Sequence, residues 1–327
     1  MKLDTKLSKE IEESLNQGVT LEDCAALFKI KEKKLKFKEQ PFNTKKLFWL
    51  SSLIVVLLAL NNPEVYQSPK DFLERVRDDY FYSSTDKCLV GMSALSMDMT
   101  RPVSNCNICR GITEVPIVQN MTREYFLKHH AYTGAPVLVK GGASNWTALN
   151  MFSYKYFKLL YSKLDALKEN DELGCQFFPY KTNFATLEDV FKMSKKRAAF
   201  KKDQWYIGWS NCLPRIQTIL RRHYQRPAFL PVDSESSSLD WIFMGGSGRG
   251  AMMHIDAVNR PSWQAMIKGK KTWTIQPPPE CLLHSSKRLQ VTMEPGDILV
   301  VDTNKWYHST YIHPEGGLAI TIGSEYD

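Results

Sequence analysis

An apolar run long enough for an ordinary bilayer crossing is missing from this sequence. The longest, LFWLSSLIVVLLAL from Leu47 to Leu60, has fourteen residues, against roughly 20 for a spanning helix. Cysteine is sparse as well: seven in 327 residues do not make a disulfide scaffold at this length. The single Cys-x-x-Cys, Cys106 to Cys109, has no second copy, so a zinc site built from two such pairs is excluded. GGSGRG at 245–250 lacks the Gly-Lys-Ser/Thr ending and leads into a strand pattern, which excludes a phosphate loop. The net charge of +8 comes without a recognisable nucleic-acid motif. Much of it lies in Lys-rich stretches, so nucleic acid is not the expected partner.

What is present suits one large globular domain with appendages. The chain is 43% hydrophobic, with 16 Phe, 14 Tyr and 8 Trp to fill a core. The run Leu47–Leu60 has two readings, a buried core helix or a short membrane anchor. It is apolar all round, Lys45 and Lys46 precede it and Asn61-Asn62-Pro63 closes it. Snorkelling lysines lengthen a short span, so a single transmembrane helix over 47–62 is the expectation. Eight lysines lie within 29–46, against Glu32 and Glu39, whereas acids outnumber bases over 61–80. The basic side stays cytosolic, which makes a type II protein with residues 1–46 in the cytosol. The C-terminal part then faces the lumen of the endoplasmic reticulum and secretory pathway, or the exterior. Two sequons, Asn120-Met-Thr122 and Asn145-Trp-Thr147, and six of the seven cysteines fall on that side.

Residues 1–46 read as helical, with Ser8 and Thr20 in capping positions. Their basic stretch either holds an anionic membrane surface or serves only to fix topology. Residues 63–112 form a stem with helices near 68–80 and 92–99, ending in Cys106-x-x-Cys109. That pair reads as a redox motif, half a zinc site or, preferably, part of a structural disulfide, with Cys88 a candidate partner. A compact domain spans 113–327. Helices are predicted after Thr122 and Ser153, and over 186–196 and 213–224. The last two carry bases that read as solvated faces rather than nucleic-acid patches. After residue 238 come short strands at regular spacing: 241–244, 252–256, 263–268, 271–276, 289–293, 298–302, 306–309 and 318–323. They predict a mainly β barrel or sandwich with flanking helices. Gly269-Lys270 and Glu294-Pro-Gly-Asp297 are read as hairpin turns.

His254-Ile-Asp256 puts two ligand types on one face of an extended segment, because side chains alternate. His308 supplies a third, with His284 and His313 also available. Two imidazoles and one carboxylate leave open positions on a non-haem iron(II) centre, which take 2-oxoglutarate and O2. Lys271, fifteen residues beyond Asp256, is placed to anchor the distal carboxylate of that co-substrate.

The stretches HIDAVNRPSWQAMIKGKKTW, EPGDILVVDTNKWYHS and LAITIGSEY resemble the JmjC proteins, in particular their protein-hydroxylase branch, over roughly residues 113–327. The resemblance implies a double-stranded β-helix of the jelly-roll or cupin kind. It implies His254, Asp256 and His308 as ligands of Fe(II) and Lys271 as the 2-oxoglutarate anchor. Gln264, Thr321 and Tyr206 stand where the family contacts the co-substrate. The implied activity is a 2-oxoglutarate-dependent dioxygenase that hydroxylates a protein, or demethylates it through hydroxylation. An inactive JmjC-fold binding module on a membrane stem is the alternative. A nuclear histone demethylase fits less well, given the anchor and sequons. One departure is visible. Three residues before the first ligand the family often has Thr or Ser, and Ala251 stands here. Its absence removes a hydrogen bond worth about 1.5–3 kcal/mol when it goes to a carboxylate.

Overall fold

The computed structural model of the chain describes residues 101–327 apart from 165, 181 and 285–287. The segment 1–46, the run Leu47–Leu60, Cys24, Cys88 and the two expected stem helices lie outside the described residues. Among the described residues no helix is long and apolar enough to cross a membrane.

Helices dominate the first half and strands the second. The order is β1 (Ile117–Gln119), α1 (Arg123–His129), β2 (Val137–Lys140), α2 (Ala148–Met151), α3 (Tyr154–Lys163) and α4 (Ala166–Glu172). Then come β3 (Phe177–Phe178), α5 (Leu187–Lys192), α6 (Lys195–Ala198), β4 (Tyr206–Asn211) and α7 (Pro214–Leu220). The strand-rich part holds β5 (Asp240–Gly245), β6 (Gly248–Arg249), β7 (Ser262–Lys268), β8 (Lys271–Gln276), β9 (Leu289–Met293), β10 (Ile298–Val301), β11 (Tyr307–Ile312) and β12 (Ala319–Glu325).

Local chemistry sets the helix ends. Thr122 and Ser153 each accept a bond from the backbone N–H three residues on, at 3.2 and 3.1 Å, as N-caps do. The helix predicted over 186–196 is two helices. Thr186 and Asp189 form a reciprocal capping box for α5. Met193 then turns extended, and the Ser194 hydroxyl caps a new start at α6. The helix predicted over 213–224 stops at Leu220, where Arg221 turns its guanidinium onto Asp240 at 2.9 Å.

The strands make two sheets. One has eight strands in the order β1-β2-β10-β7-β12-β5-β4-β3, the other four in the order β6-β11-β8-β9. This is a mainly β jelly roll with helices outside. Trp209, Ile242, Trp263, Ala265 and Ile320 pack with Phe157, Tyr161, Phe191 and Leu220 of the helices. A second core includes Met266 and Leu299 from the large sheet and Trp273, Ile275 and Val291 from the small one. Because β7 is covered on both faces, it reads as a nearly continuous apolar run.

Three expectations about strands are corrected. The turns at Gly269-Lys270 and Glu294–Asp297 are corners between sheets, not hairpins. β7 pairs with β10 and β12, whereas β8 pairs with β9 and β11. β10 likewise pairs with β2 and β7 and not with β9. Gly269, at φ +80°, makes the first corner, where a Cβ would lie 2.8 Å from the Ala319 Cα. Met252–Asp256 is not a full strand. A single bridge joins His254 to His308, and the Asp256 N–H donates to Thr303 O at 2.9 Å.

Candidate metal centre

His308 lies near the start of β11 and His254 beside it, the two tied by reciprocal backbone bonds of 3.0 and 2.8 Å. Alternation sends Ile255 into the interior and leaves His254 and Asp256 on one face. His254 Nε2 stands 3.2 Å from Asp256 Oδ1, and His308 Nε2 stands 3.7 Å from Oδ2. One donor atom from each residue falls within 4.8 Å of the others, and among the described residues this is the one such group of three. His308 is deep, while about a third of the His254 and Asp256 side chains is open to solvent, so the centre is approached from their side.

The tautomers follow from the other ring nitrogens. Nδ1 of His254 is 2.7 Å from Met252 O, and Nδ1 of His308 is 3.0 Å from Trp306 O. A carbonyl only accepts, so each Nδ1 donates, and a neutral ring keeps its Nε2 lone pair. Burial, helped by His254, pushes the His308 imidazole down to about 4, which keeps it neutral at pH 7. Burial works to raise the Asp256 carboxyl, but the two neighbouring imidazoles and the Thr303 hydroxyl outweigh it and hold it ionised. Lone pairs and a carboxylate thus face one another at short range, an arrangement that a cation between them relieves. The donor set and its fixed second ring nitrogens suit a divalent first-row metal with open positions.

Lys271 is the second feature. It is 1% exposed, and its Nζ lies 2.6 Å from Gln264 Oε1. Among the described residues it has no carboxylate partner, and burial alone pulls its ammonium down to about 7. The rings of Phe243, Trp273 and Tyr206 surround it at 5.1, 5.1 and 5.9 Å. The Thr321 hydroxyl is buried without a partner. A buried cation without a charge partner and a buried hydroxyl without any partner are each costly unless an anion completes them. The residues fit a dicarboxylate whose far end enters this recess.

The structure thus gathers His254, Asp256 and His308 into one cluster, and Gln264, Thr321 and Tyr206 around Lys271 or on strands facing it. His313 is elsewhere: its Nε2 is 2.7 Å from Thr272 Oγ1 and its Nδ1 faces Glu315. Two residues escaped the sequence reading. Trp273 stacks on His308 at 5.3 Å, and its ring lies 5.1 Å from Lys271 Nζ, so it touches both. Its position two residues after Lys271, on the same face, is the signal that could have found it. Thr303 bonds Asp256, and only the fold brings it there.

A family model described as a cupin-like domain matches residues 122–283. This stretch is a cupin-like domain of the JmjC kind. An arginine-specific demethylase of Arabidopsis thaliana is 23% identical over 167 residues, covering 49% of this chain and 30% of the relative. A bifunctional arginine demethylase and lysyl-hydroxylase of Caenorhabditis elegans is 23% identical over 167 residues, covering 49% and 40%. The chain therefore spans less than half the length of either relative. A solved ribosomal oxygenase from Escherichia coli aligns with 66% of this chain and 53% of its own, at 16% identity and a TM-score of 0.42.

The cysteines pair unexpectedly, one bond tying the segment before residue 113 to the domain. Cys106 bonds Cys281, and Cys175 bonds Cys212. Cys109 is a free, buried thiol, so the Cys-x-x-Cys is neither a pair with itself nor a metal site. Arg101 reinforces the staple with two bonds to Glu280, at 2.7 and 2.5 Å. That pairing holds the Glu280 carboxyl down to about 2. The glycine stretch before His254 also has a physical reason. A Cβ at Gly245 would collide with Trp205 O, and one at Gly250 with Thr310 Oγ1.

Proposed function

We propose that the protein is an Fe(II)/2-oxoglutarate-dependent oxygenase that hydroxylates a residue of a protein, or demethylates it through hydroxylation. The observation that carries this reading is the buried Lys271, bonded to Gln264 with no carboxylate partner among the described residues, within the same barrel as the unpartnered Thr321 hydroxyl and the His254–Asp256–His308 cluster. His254 and His308 would bind Fe(II) through Nε2 and Asp256 through a carboxylate oxygen, with Met252 O and Trp306 O orienting the rings. Lys271, with Gln264 and Thr321, would hold the distal carboxylate of 2-oxoglutarate. Iron with 2-oxoglutarate and O2 supplies oxidation of an unactivated C–H bond, coupled to decarboxylation to succinate. Trp273 and Tyr206 exclude water from the recess, and the open side at His254 and Asp256 leaves the substrate its approach.

The names of the curated relatives, an arginine demethylase and a demethylase with lysyl-hydroxylase activity, support a protein as substrate. The test is conversion of 2-oxoglutarate to succinate by purified chain with Fe(II). Turnover that survives His254→Ala or Asp256→Ala would sink the reading, and a folded chain that binds neither iron nor co-substrate would favour a binding module.

We further propose that Leu47–Leu60 anchors the chain as a type II membrane protein with the JmjC domain in the secretory lumen or outside the cell. Two disulfides support an oxidising compartment, and Asn120 and Asn145 of the sequons are both exposed.

A further inference from the structure

The hydroxyl missing at residue 251 leaves the recess one donor short, and a neighbouring strand has one to spare. Thr310 is 5% exposed and lies on β11, two residues after His308 on the same inward face. In register it stands opposite Trp273, with Lys271 two residues away along the same face of β8. It is wrapped around the very residue that lacks the group. Its N–H donates to Ala251 O at 3.0 Å, the Ala251 N–H donates to Thr310 Oγ1 at 3.0 Å, and the Gly250 N–H donates to Thr310 O at 2.8 Å. Oγ1 therefore acts as an acceptor from the backbone, and its own hydrogen is left to donate elsewhere. Among the described residues no protein group accepts it. The glycine at 250 matters here: a Cβ there would collide with Thr310 Oγ1 and lie 3.2 Å from Tyr206 Cε1. Its absence keeps the space between the hydroxyl and the phenol ring open. The same Tyr206 ring lies 5.9 Å from Lys271 Nζ.

We infer that Thr310 replaces the hydroxyl absent at Ala251 and donates to the distal carboxylate of the co-substrate, beside Lys271. This rests on the proposed 2-oxoglutarate reading. It makes Thr310 a co-substrate-binding residue, whereas a Thr in a β-strand bonded to its neighbour's N–H would otherwise serve only to hold the segment leading to His254.

The test is calorimetric binding to the full chain, solubilised and loaded with Zn(II), of N-oxalylglycine, an inert analogue that keeps both carboxylates. Oxalate, which lacks the distal carboxylate, is titrated in parallel. Thr310→Val should weaken N-oxalylglycine about ten- to a hundredfold, as expected for a lost bond to a charged group. Oxalate should bind Thr310→Val and wild type alike, and Thr310→Ser should stay near wild type. Ala251→Ser in the wild-type background should gain less than about twofold, since the donor is already supplied. Thr310→Val within twofold of wild type, or an Ala251→Ser gain near tenfold, overturns the inference. The Ala251→Ser arm decides even if Thr310→Val fails to fold. A wild type that binds neither ligand defeats the co-substrate reading and this inference with it. If Lys271→Met abolishes N-oxalylglycine binding while Thr310→Val leaves it unchanged, only the inference falls.

Discussion

Lys271 Nζ lies 2.6 Å from Gln264 Oε1 although the two residues belong to different sheets. The corner at Gly269 carries the chain from β7 across the barrel into β8, so residues seven apart meet tip to tip in the interior rather than side by side on a ladder. The ammonium is thereby desolvated, and among the described residues its hydrogen-bond partner is a neutral amide oxygen. Such a group is an unfinished interaction, and it dominates what the site is expected to do.

Replacing Lys271 by Met should separate stability from binding. With the cation gone, N-oxalylglycine affinity should fall by at least about thirtyfold, the effect of unpairing a buried carboxylate. The ligand-free melting temperature should hold or rise, because an apolar chain of similar volume replaces an uncompensated charge. Calorimetric titration and thermal denaturation of the two proteins check both halves.

The pH dependence of co-substrate binding follows from the same residue. Its folded pKa is pulled down to about 7, below the ordinary value near 10.4. The unfolded chain therefore binds more protons between those values, and ligand-free stability should rise with pH across that window. The burial penalty is present in full below pH 7. Binding of a dicarboxylate runs the other way, since the anion requires the ammonium. Affinity should be level below pH 7 and fall by up to about tenfold per unit above it. Titrations from pH 6.5 to 8.5 test this, and Lys271→Met should flatten the slope.

Metal binding should depend on all three donors but tolerate their loss unequally. His254 and Asp256 are partly open, so alanine there should abolish Mn(II) or Fe(II) binding with little change in melting temperature. His308 is buried and stacked on Trp273, so His308→Ala should abolish binding and also cost about 1–3 kcal/mol of stability. Metal titration followed by paramagnetic resonance, with thermal melts alongside, distinguishes the two cases.

The two disulfides should differ in weight. Cys106–Cys281 spans 175 residues and Cys175–Cys212 spans 37. Chain entropy then gives about 5 and 4 kcal/mol respectively before any relaxation of the native state. The Cys106→Ser/Cys281→Ser double variant should therefore melt lower than Cys175→Ser/Cys212→Ser. Acid should erode the first region further. Glu280 is held down to about 2 by Arg101, so its contribution is present above its ordinary pKa near 4.5 and is lost as pH falls towards 2. Scanning calorimetry at pH 7 and pH 3 reads both effects.

Much of the fold was legible because its signals are local. Thr122 and Ser153 announce helices through a hydroxyl three residues before a backbone N–H. Strands β5, β7, β8, β9, β10, β11 and β12 each lie within a few residues of their apolar runs. The turns misled. Gly269-Lys270 and Glu294–Asp297 carry hairpin chemistry, yet a positive-φ glycine serves a corner as well as a hairpin, and only the choice of sheet partner separates them. Cys106 was likewise read against Cys109 and Cys88, near in sequence, while its partner is Cys281.

By itself, then, the sequence determined the donor chemistry: two imidazoles and a carboxylate at His254, Asp256 and His308, a lysine at 271, and an alanine where a hydroxyl is often found. Those are properties of residue type and spacing, which a chain carries before it folds. Tertiary structure alone decided that Lys271 meets no acidic partner among the described residues, that Trp273 touches both it and His308, and that Thr310 closes on Ala251. Each of these depends on which strands pair across the barrel, and pairing is set by the burial of whole faces rather than by any neighbouring residue.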